Sequence, residues 1–303
     1  FKKMAAVVLA VVTTMAMFTG CGGAGSTSAS TKSITIQGGN TEGDLDPAGV
    51  ALGMFIQYSR LCLEPLVTYD SDGKVSKAMA ESYEESSDGL TWTFHLRKDA
   101  KWSDGSAVTS ADFVNTIKRS LDGKTSKSIY ADMLSPIVGA TEAYAGTASV
   151  DNVGVTAPDD YTIEFKLVKP CSYFLKLIAM QCCYPSKAGI ATNENETWYT
   201  DPKTNLANGA FYMTEYVQGQ YYKLKKNPNY YDADKVYLED ITVKFIDDAT
   251  AAVSAYKTNE VDFATNLPAY VMSEYQGKSD LVLQPNITTR FILFNVTKAP
   301  FNN

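Results

Sequence analysis

Residues 92–105 read Trp92-Thr93-Phe94-His95-Leu96-Arg97-Lys98-Asp99-Ala100-Lys101-Trp102-Ser103-Asp104-Gly105. The first half alternates strictly, with Trp92, Phe94 and Leu96 on one face and Thr91, Thr93, His95 and Arg97 on the other. That period predicts a half-buried strand. His95 is the one histidine in the chain. It falls on the wetter face with no nucleophile motif beside it, so it reads as a half-exposed strand residue and not as a catalytic base. A single histidine excludes a His-rich metal site. Just downstream, Thr109-Ser110-Ala111-Asp112 has the form of a capping box opening a helix, with Phe113, Ile117 and Leu121 on its buried side.

Outward from this stretch the chain mixes strands and helices. Ser33–Gln37, Leu66–Tyr69, Tyr161–Leu167, Tyr222–Lys225 and Ile241–Ile246 carry strand patterns. Leu52–Leu63 and Tyr173–Met180 carry apolar helical ones. Asp70-Ser71-Asp72-Gly73 reads as a hairpin turn, since Lys74 sits where a calcium loop needs a third ligand. Ile241–Ile246, a helix over Ala249–Thr258 capped by Asp248, and a strand beginning Glu260-Val261-Asp262-Phe263 form a β-α-β unit with a parallel pair, hence an α/β fold. Asp159-Asp160 and Asp247-Asp248 are carboxylate pairs, each at a turn or a helix cap. Cys62 and Cys171 lie in apolar helical stretches. These two and the adjacent Cys182 and Cys183 lack C-x-x-C spacing and read as small buried hydrophobes, with a disulfide between two of them left open.

With 303 residues the chain has room for about two domains. Aromatics at 12% and hydrophobics at 45% exclude disorder over most of it. A net charge of −7 argues against nucleic acid as a partner. Phe1-Lys2-Lys3, an apolar run to Phe18, and Gly20-Cys21 have the layout of a secretory signal, too short to span a membrane. The Gly-Cys ending resembles a bacterial lipobox, with Phe18 where Leu is usual. The expectation is a signal peptide over 1–20 and a lipidated Cys21. A Gly/Ser/Ala/Thr tether over 21–32 would then hold the protein at the outer face of the cell membrane. The chain opens on Phe, so a few residues are expected to precede it.

Several phrases, in this order and spacing, resemble one family. They are Leu45-Asp46-Pro47, Leu63-Glu64-Pro65-Leu66, the stretch 92–105, and Val108-Thr109-Ser110-Ala111-Asp112-Phe113. Then come Asn208-Gly209-Ala210-Phe211, Lys226-Asn227-Pro228-Asn229-Tyr230-Tyr231-Asp232, Glu260-Val261-Asp262 and Lys298-Ala299-Pro300-Phe301-Asn302. They are similar to the oligopeptide-binding proteins of bacterial ABC importers, the family 5 extracellular solute-binding proteins, from about Ile34 to Asn303. The resemblance implies a two-lobed, periplasmic-binding-protein-like (type II) α/β fold with an inserted small subdomain. It assigns 33–66 and 185–285 to lobe I and 67–184 to the subdomain. A crossing strand, Arg290–Val296, and the start of a truncated lobe II fall in 286–303. It further implies capture of an extended oligopeptide through its backbone, closure of the lobes, delivery to an ABC transporter permease, and no catalysis, metal or cofactor, in a monomer.

Carried over position by position, the resemblance marks Ala51, Leu52 and Gly53 as backbone contacts to ligand and Tyr130 as a subdomain tyrosine touching it. It marks Thr265 and Asn266 as a polar pair facing the cleft, and Asn286 and Phe291 on the crossing strand. The family often has tyrosines at the last two positions, and this chain does not. Three alternatives stay open: a family member carrying sugar, nickel or haem, a secreted hydrolase built on the acidic pairs, and a surface receptor without a transport role.

Overall fold

Ile34 and Ile36 near the start of the chain alternate with polar residues, as do Ile241 and Val243 far downstream, and these two segments pair side by side. The computed structural model describes residues 32–39, 45–49, 54–70, 72–126, 128–195, 197–265, 267–283 and 292–301. The chain divides after Lys32, and the unit Ser33–Asn303 holds both of the larger sheets. Strand β1 (Ser33–Gly38) runs parallel to β10 (Asp240–Phe245), with Ile34 opposite Ile241 and Ile36 opposite Val243. The hairpin of β8 (Phe211–Val217) and β9 (Tyr221–Lys226) completes a four-stranded sheet of order β1-β10-β9-β8. Helix α1 (Met54–Cys62) packs on β8, and Tyr58 meets Tyr222 edge-on at 5.9 Å between ring centroids.

After β10 the helix α5 (Ala249–Lys257) leads to Val261–Phe263. Asp248 caps α5, accepting from the Ala251 N–H at 2.7 Å. The expected strand at Glu260–Phe263 shrinks to a single parallel bridge, Phe263 to Ile36. The bridge lies on the opposite edge of β1 from β10, so the parallel neighbour of the returning chain is β1. Asp262 fixes this docking from both ends: its N–H donates to the Thr35 carbonyl at 2.7 Å and its carboxylate accepts from the Thr35 N–H at 2.8 Å. A side chain bonded to its partner's backbone displaces the next ladder bond, which keeps the pairing short.

The second sheet is antiparallel, β4 (Ala80–Glu85), β5 (Thr91–Leu96), β7 (Thr162–Lys166) and β6 (Val155–Asp159), in the order β4-β5-β7-β6. Trp92, Phe94 and Leu96 face inward as their alternation predicts, and Phe94 and Phe165 meet at 5.6 Å. Helix α2 (Ser110–Leu121) packs against β6, β7 and the short helix α3 (Ala140–Tyr144), with Phe113, Ile117 and Leu121 fully buried. Its capping box forms, the Asp112 carboxylate accepting from the Thr109 N–H at 2.9 Å. Strands β2 (Val67–Tyr69) and β3 (Val75–Lys77) make the hairpin expected from the sequence. Its turn is held by the Asp70 carboxylate, which accepts from the N–H groups of Asp72 and Lys74.

One expectation needs correction. Cys171 lies in the turn before α4 (Phe174–Ile178) and not in a helix. All four described cysteines, Cys62, Cys171, Cys182 and Cys183, are buried free thiols. Ile292–Asn295, within the expected crossing strand, has no strand partner among the described residues, and Ile292 and Leu293 are 80% and 83% exposed. Three consecutive apolar residues lack the alternation of a one-sided strand, and nothing described lies beside them to form a ladder.

Candidate functional site

Open α/β sheets take ligands outside the carboxyl ends of their parallel strands. Here β1 ends at Gly38, β10 ends at Phe245, and the bridge at Phe263 adds a third parallel segment. The close approach of the first two requires a glycine, since a Cβ at Gly38 would lie 2.6 Å from Val243 Cγ1. Gln37, 4% exposed, ties the three ends together. Its Nε2 donates to the Ile246 carbonyl at 2.8 Å. Its Oε1 accepts from the Thr265 N–H at 2.9 Å and from the Thr265 hydroxyl at 2.8 Å.

Thr265 in turn lines a cleft of about 650 Å³ bounded by α5, by α6 (Ala269–Tyr275), and by residues 262–265, Leu267 and residues 280–283. Its walls are largely apolar, with Val253, Val271, Met272 and Leu281 among them. Asp262, Asp280 and Tyr256 supply most of its polar groups, and the Tyr256 hydroxyl donates to Asp280 at 3.3 Å. Mostly apolar walls with a few fixed polar atoms are what small-ligand sites commonly present.

Of the residues marked from the sequence, Thr265 lines this cleft. Tyr130 stands elsewhere, partly buried, at the head of the 3-10 turn Ala131–Leu134, and is not among the cleft's lining residues. Ala51, Leu52, Gly53, Asn266, Asn286, Phe291 and the lipidation candidate Cys21 lie outside the described residues. His95 is half exposed on β5, 3.9 Å from Glu84. Asp159 accepts from the Tyr161 N–H at 2.8 Å, so both acidic pairs contribute a turn or helix cap. Among the described residues no group of three or more His, Cys, Asp or Glu is placed to hold a metal ion, and no helix is long and apolar enough to cross a membrane.

Four of the phrases that carry the resemblance converge at a different place, a junction between the sheets. Asn208 and Glu64 exchange two hydrogen bonds, Glu64 N–H to Asn208 Oδ1 at 2.9 Å and Asn208 Nδ2 to the Glu64 carbonyl at 3.0 Å. Tyr231 and Tyr230 donate to the Glu64 carboxylate at 2.8 and 3.1 Å, and the Arg97 guanidinium lies 3.1 Å over the Tyr231 ring. Burial raises the Glu64 carboxyl, while the two hydroxyls and Arg97 pull it back. Asn227 Nδ2 donates to the Gly209 carbonyl at 3.0 Å, and Asn229 Nδ2 to the Ser103 carbonyl at 3.1 Å. A Cβ on Gly209 would sit 2.7 Å from the Cys62 carbonyl carbon, so the chain passes there only as glycine. These four phrases build the frame apart from the cleft, which Asp262 of the Glu260-Val261-Asp262 phrase helps to line. Gln37 and Asp262 escape sequence reasoning as site residues because their roles depend on contacts between segments far apart in the chain.

The profile of the bacterial extracellular solute-binding proteins, family 5 (middle), matches residues 74–303. The chain belongs to this family. The periplasmic oligopeptide-binding protein OppA of Escherichia coli K12 is 32% identical over 285 residues, covering 92% of this chain and 52% of that protein. The probable deoxycholate-binding periplasmic protein YgiS of the same organism is 32% identical over 267 residues, covering 86% of this chain and 49% of that one. Among solved structures, Haemophilus influenzae OppA in complex with RPPGFSPFR is similar with a TM-score of 0.76 and 27% identity, over 90% of this chain and 54% of that chain. The chain thus spans about half the length of the relatives it matches.

Proposed function

We propose that this chain is the ligand-capturing part of an extracytoplasmic binding protein that holds oligopeptides, leaves them intact, and passes them to an ABC transporter permease. The observation that carries this reading is the shared fold with a solved protein holding a peptide, over nine-tenths of this chain. In this reading the sheet containing β1 and β8–β10 belongs to lobe I (33–66 and 185–285), and the antiparallel sheet of β4–β7 to the inserted subdomain (67–184). Ala51, Leu52, Gly53, Tyr130, Thr265, Asn266, Asn286 and Phe291 are its candidate ligand contacts. Binding without turnover is supported by the local duties of the acidic pairs and by the half-exposed His95, which has no nucleophile motif beside it. The resemblance to YgiS favours a second reading, an apolar non-peptide ligand in the same cleft.

Titration calorimetry with short peptides, followed by mass spectrometry of the recovered peptide, tests the main reading. Binding with unchanged peptide mass is the expected result; cleaved peptide, or affinity for deoxycholate alone, would overturn it. The lipid anchor is part of the proposal. Cys21→Ser is expected to release the protein from the membrane fraction, and a variant that stays fully membrane-bound would remove the anchor from the account.

A further inference from the structure

The hydrogen-bond polarity of the cleft follows from proton counting. The Thr265 backbone N–H can only donate, so the atom of Gln37 that meets it at 2.9 Å must be the side-chain oxygen. The Gln37 amide nitrogen then faces the carbonyls of Ile246, at 2.8 Å, and Gly38, at 3.3 Å, both of which can only accept. Flipping the amide would set donor against donor at one end and oxygen against two oxygens at the other. Backbone groups on both sides therefore dictate the orientation.

The Thr265 hydroxyl lies 2.8 Å from the same Gln37 oxygen, which has no proton to give. A hydroxyl has one proton, and Thr265 directs it at Gln37. Only its lone pairs are left for anything in the cleft. Gln37 is almost fully buried, so no solvent rearrangement frees the proton cheaply.

Tyr256 repeats the arrangement on its own account. Its hydroxyl donates to Asp280, again leaving lone pairs. Asp262 and Asp280 themselves offer carboxylate oxygens, and the Tyr275 hydroxyl, which both donates and accepts, completes the polar side-chain lining. Lys257 and Lys278 lie over the Tyr275 ring at 5.8 and 4.4 Å from its centroid, and neither lines the cleft. Lys257 is further engaged with Glu274 at 3.0 Å.

We infer that Gln37 and Thr265 make this cleft selective for ligand groups that donate hydrogen bonds, an ammonium or other N–H carried on an apolar body, and against carboxylates. Gln37 is the positioning residue and Thr265 the contact. The inference rests on the binding reading above and adds the chemical class of the group that the cleft takes. In a peptide such groups are the amino terminus, basic side chains and backbone N–H groups.

The test uses the full chain and two probes of one shape, phenethylammonium and hydrocinnamate. Each is titrated while the Thr265 amide is followed by NMR of nitrogen-labelled protein. The ammonium is expected to shift the Thr265 amide and the carboxylate to leave it unmoved. Thr265→Val, which keeps the backbone bond to Gln37 and removes the lone pairs, is expected to weaken the ammonium about tenfold. Thr265→Ser, which restores the hydroxyl, is expected to bind it as the native protein does, and amide spectra unchanged outside the cleft in both variants separate a lost contact from a disturbed fold. Equal or tighter binding of hydrocinnamate, an ammonium affinity indifferent to Thr265→Val, or no response at Thr265 to either probe would overturn the inference. Ammonium capture without any peptide binding would count against the peptide reading and leave this one standing. Peptide binding with no preference between the probes would do the reverse.

Discussion

Arg119→Met is expected to lower the free energy of unfolding by about 3–5 kcal/mol, the usual cost of leaving a buried charge without its partner. Arg119 on α2 is ion-paired with Asp46 of the Leu-Asp-Pro phrase, with side-chain exposures of only 7% and 10%. Arg119 also reaches Asn193 Oδ1 at 3.3 Å and lies over the Trp198 ring at 5.7 Å. The pair therefore fastens residues 45–49, which lead toward Ala51–Gly53, onto the helix behind the antiparallel sheet. Burial raises the Asp46 carboxyl and Arg119 opposes the rise. Removing the arginine leaves burial less opposed, so the variant's Asp46 moves further up. A raised carboxyl contributes stability below its unfolded pKa and loses it as pH climbs through the folded value. The deficit of the variant is thus expected to be smallest near the ordinary carboxyl value of 3.8 and largest at neutral pH. Urea denaturation at both pH values measures it. Replacing both partners by apolar residues should recover most of the loss, and a single-variant loss under about 1 kcal/mol would show that the pair is dispensable.

Asp112→Ala is expected to cost a similar amount, at least about 3 kcal/mol, because it strands three donors at once. The Asp112 side chain, 1% exposed, accepts from Trp102 Nε1, from the Thr109 N–H and from the Ala188 N–H, each at 2.9 Å. One carboxylate thereby closes the capping box of α2, orients the fully buried Trp102, and draws in the chain near Ser186. Asp112→Asn keeps one acceptor oxygen and points an amide at a donor, so an intermediate loss is expected. Thermal and urea unfolding of the three proteins give the order. An alanine variant as stable as the native chain would mean that water replaces the carboxylate without cost.

Much of this architecture is legible in the sequence wherever local rules decide it. The alternation over Thr91–Leu96, the Thr109–Asp112 box, the Asp70 turn and the Asp248 cap each depend on neighbours a few residues away, and each forms as expected. Phe263 reads as part of a strand because Val261 and Phe263 alternate with polar residues. Only its long-range docking on β1 reveals that Asp262 takes over the ladder after one bridge. Gln37 carries no signal, since a glutamine at a strand end is commonplace until Thr265 arrives from far along the chain. The recognisable phrases point to the family because they build a shared frame. Glu64, Asn208, Asn227 and Tyr231 hold that frame together and touch none of the cleft. Resemblance is therefore a stronger guide to the fold than to the site.

The proposed role joins these levels. A buried ion pair and a buried carboxylate fasten the loops around the two sheets. The parallel strand ends present Gln37, and Gln37 sets the proton of Thr265 at the cleft. Capture of a ligand rich in N–H groups and apolar side chains follows from that arrangement, and short peptides have both. Mass spectrometry of ligand released by denaturing the freshly purified protein tests this most directly. The account predicts short, intact peptides. A released population free of peptides, or made of fragments cleaved by the protein itself, would contradict it.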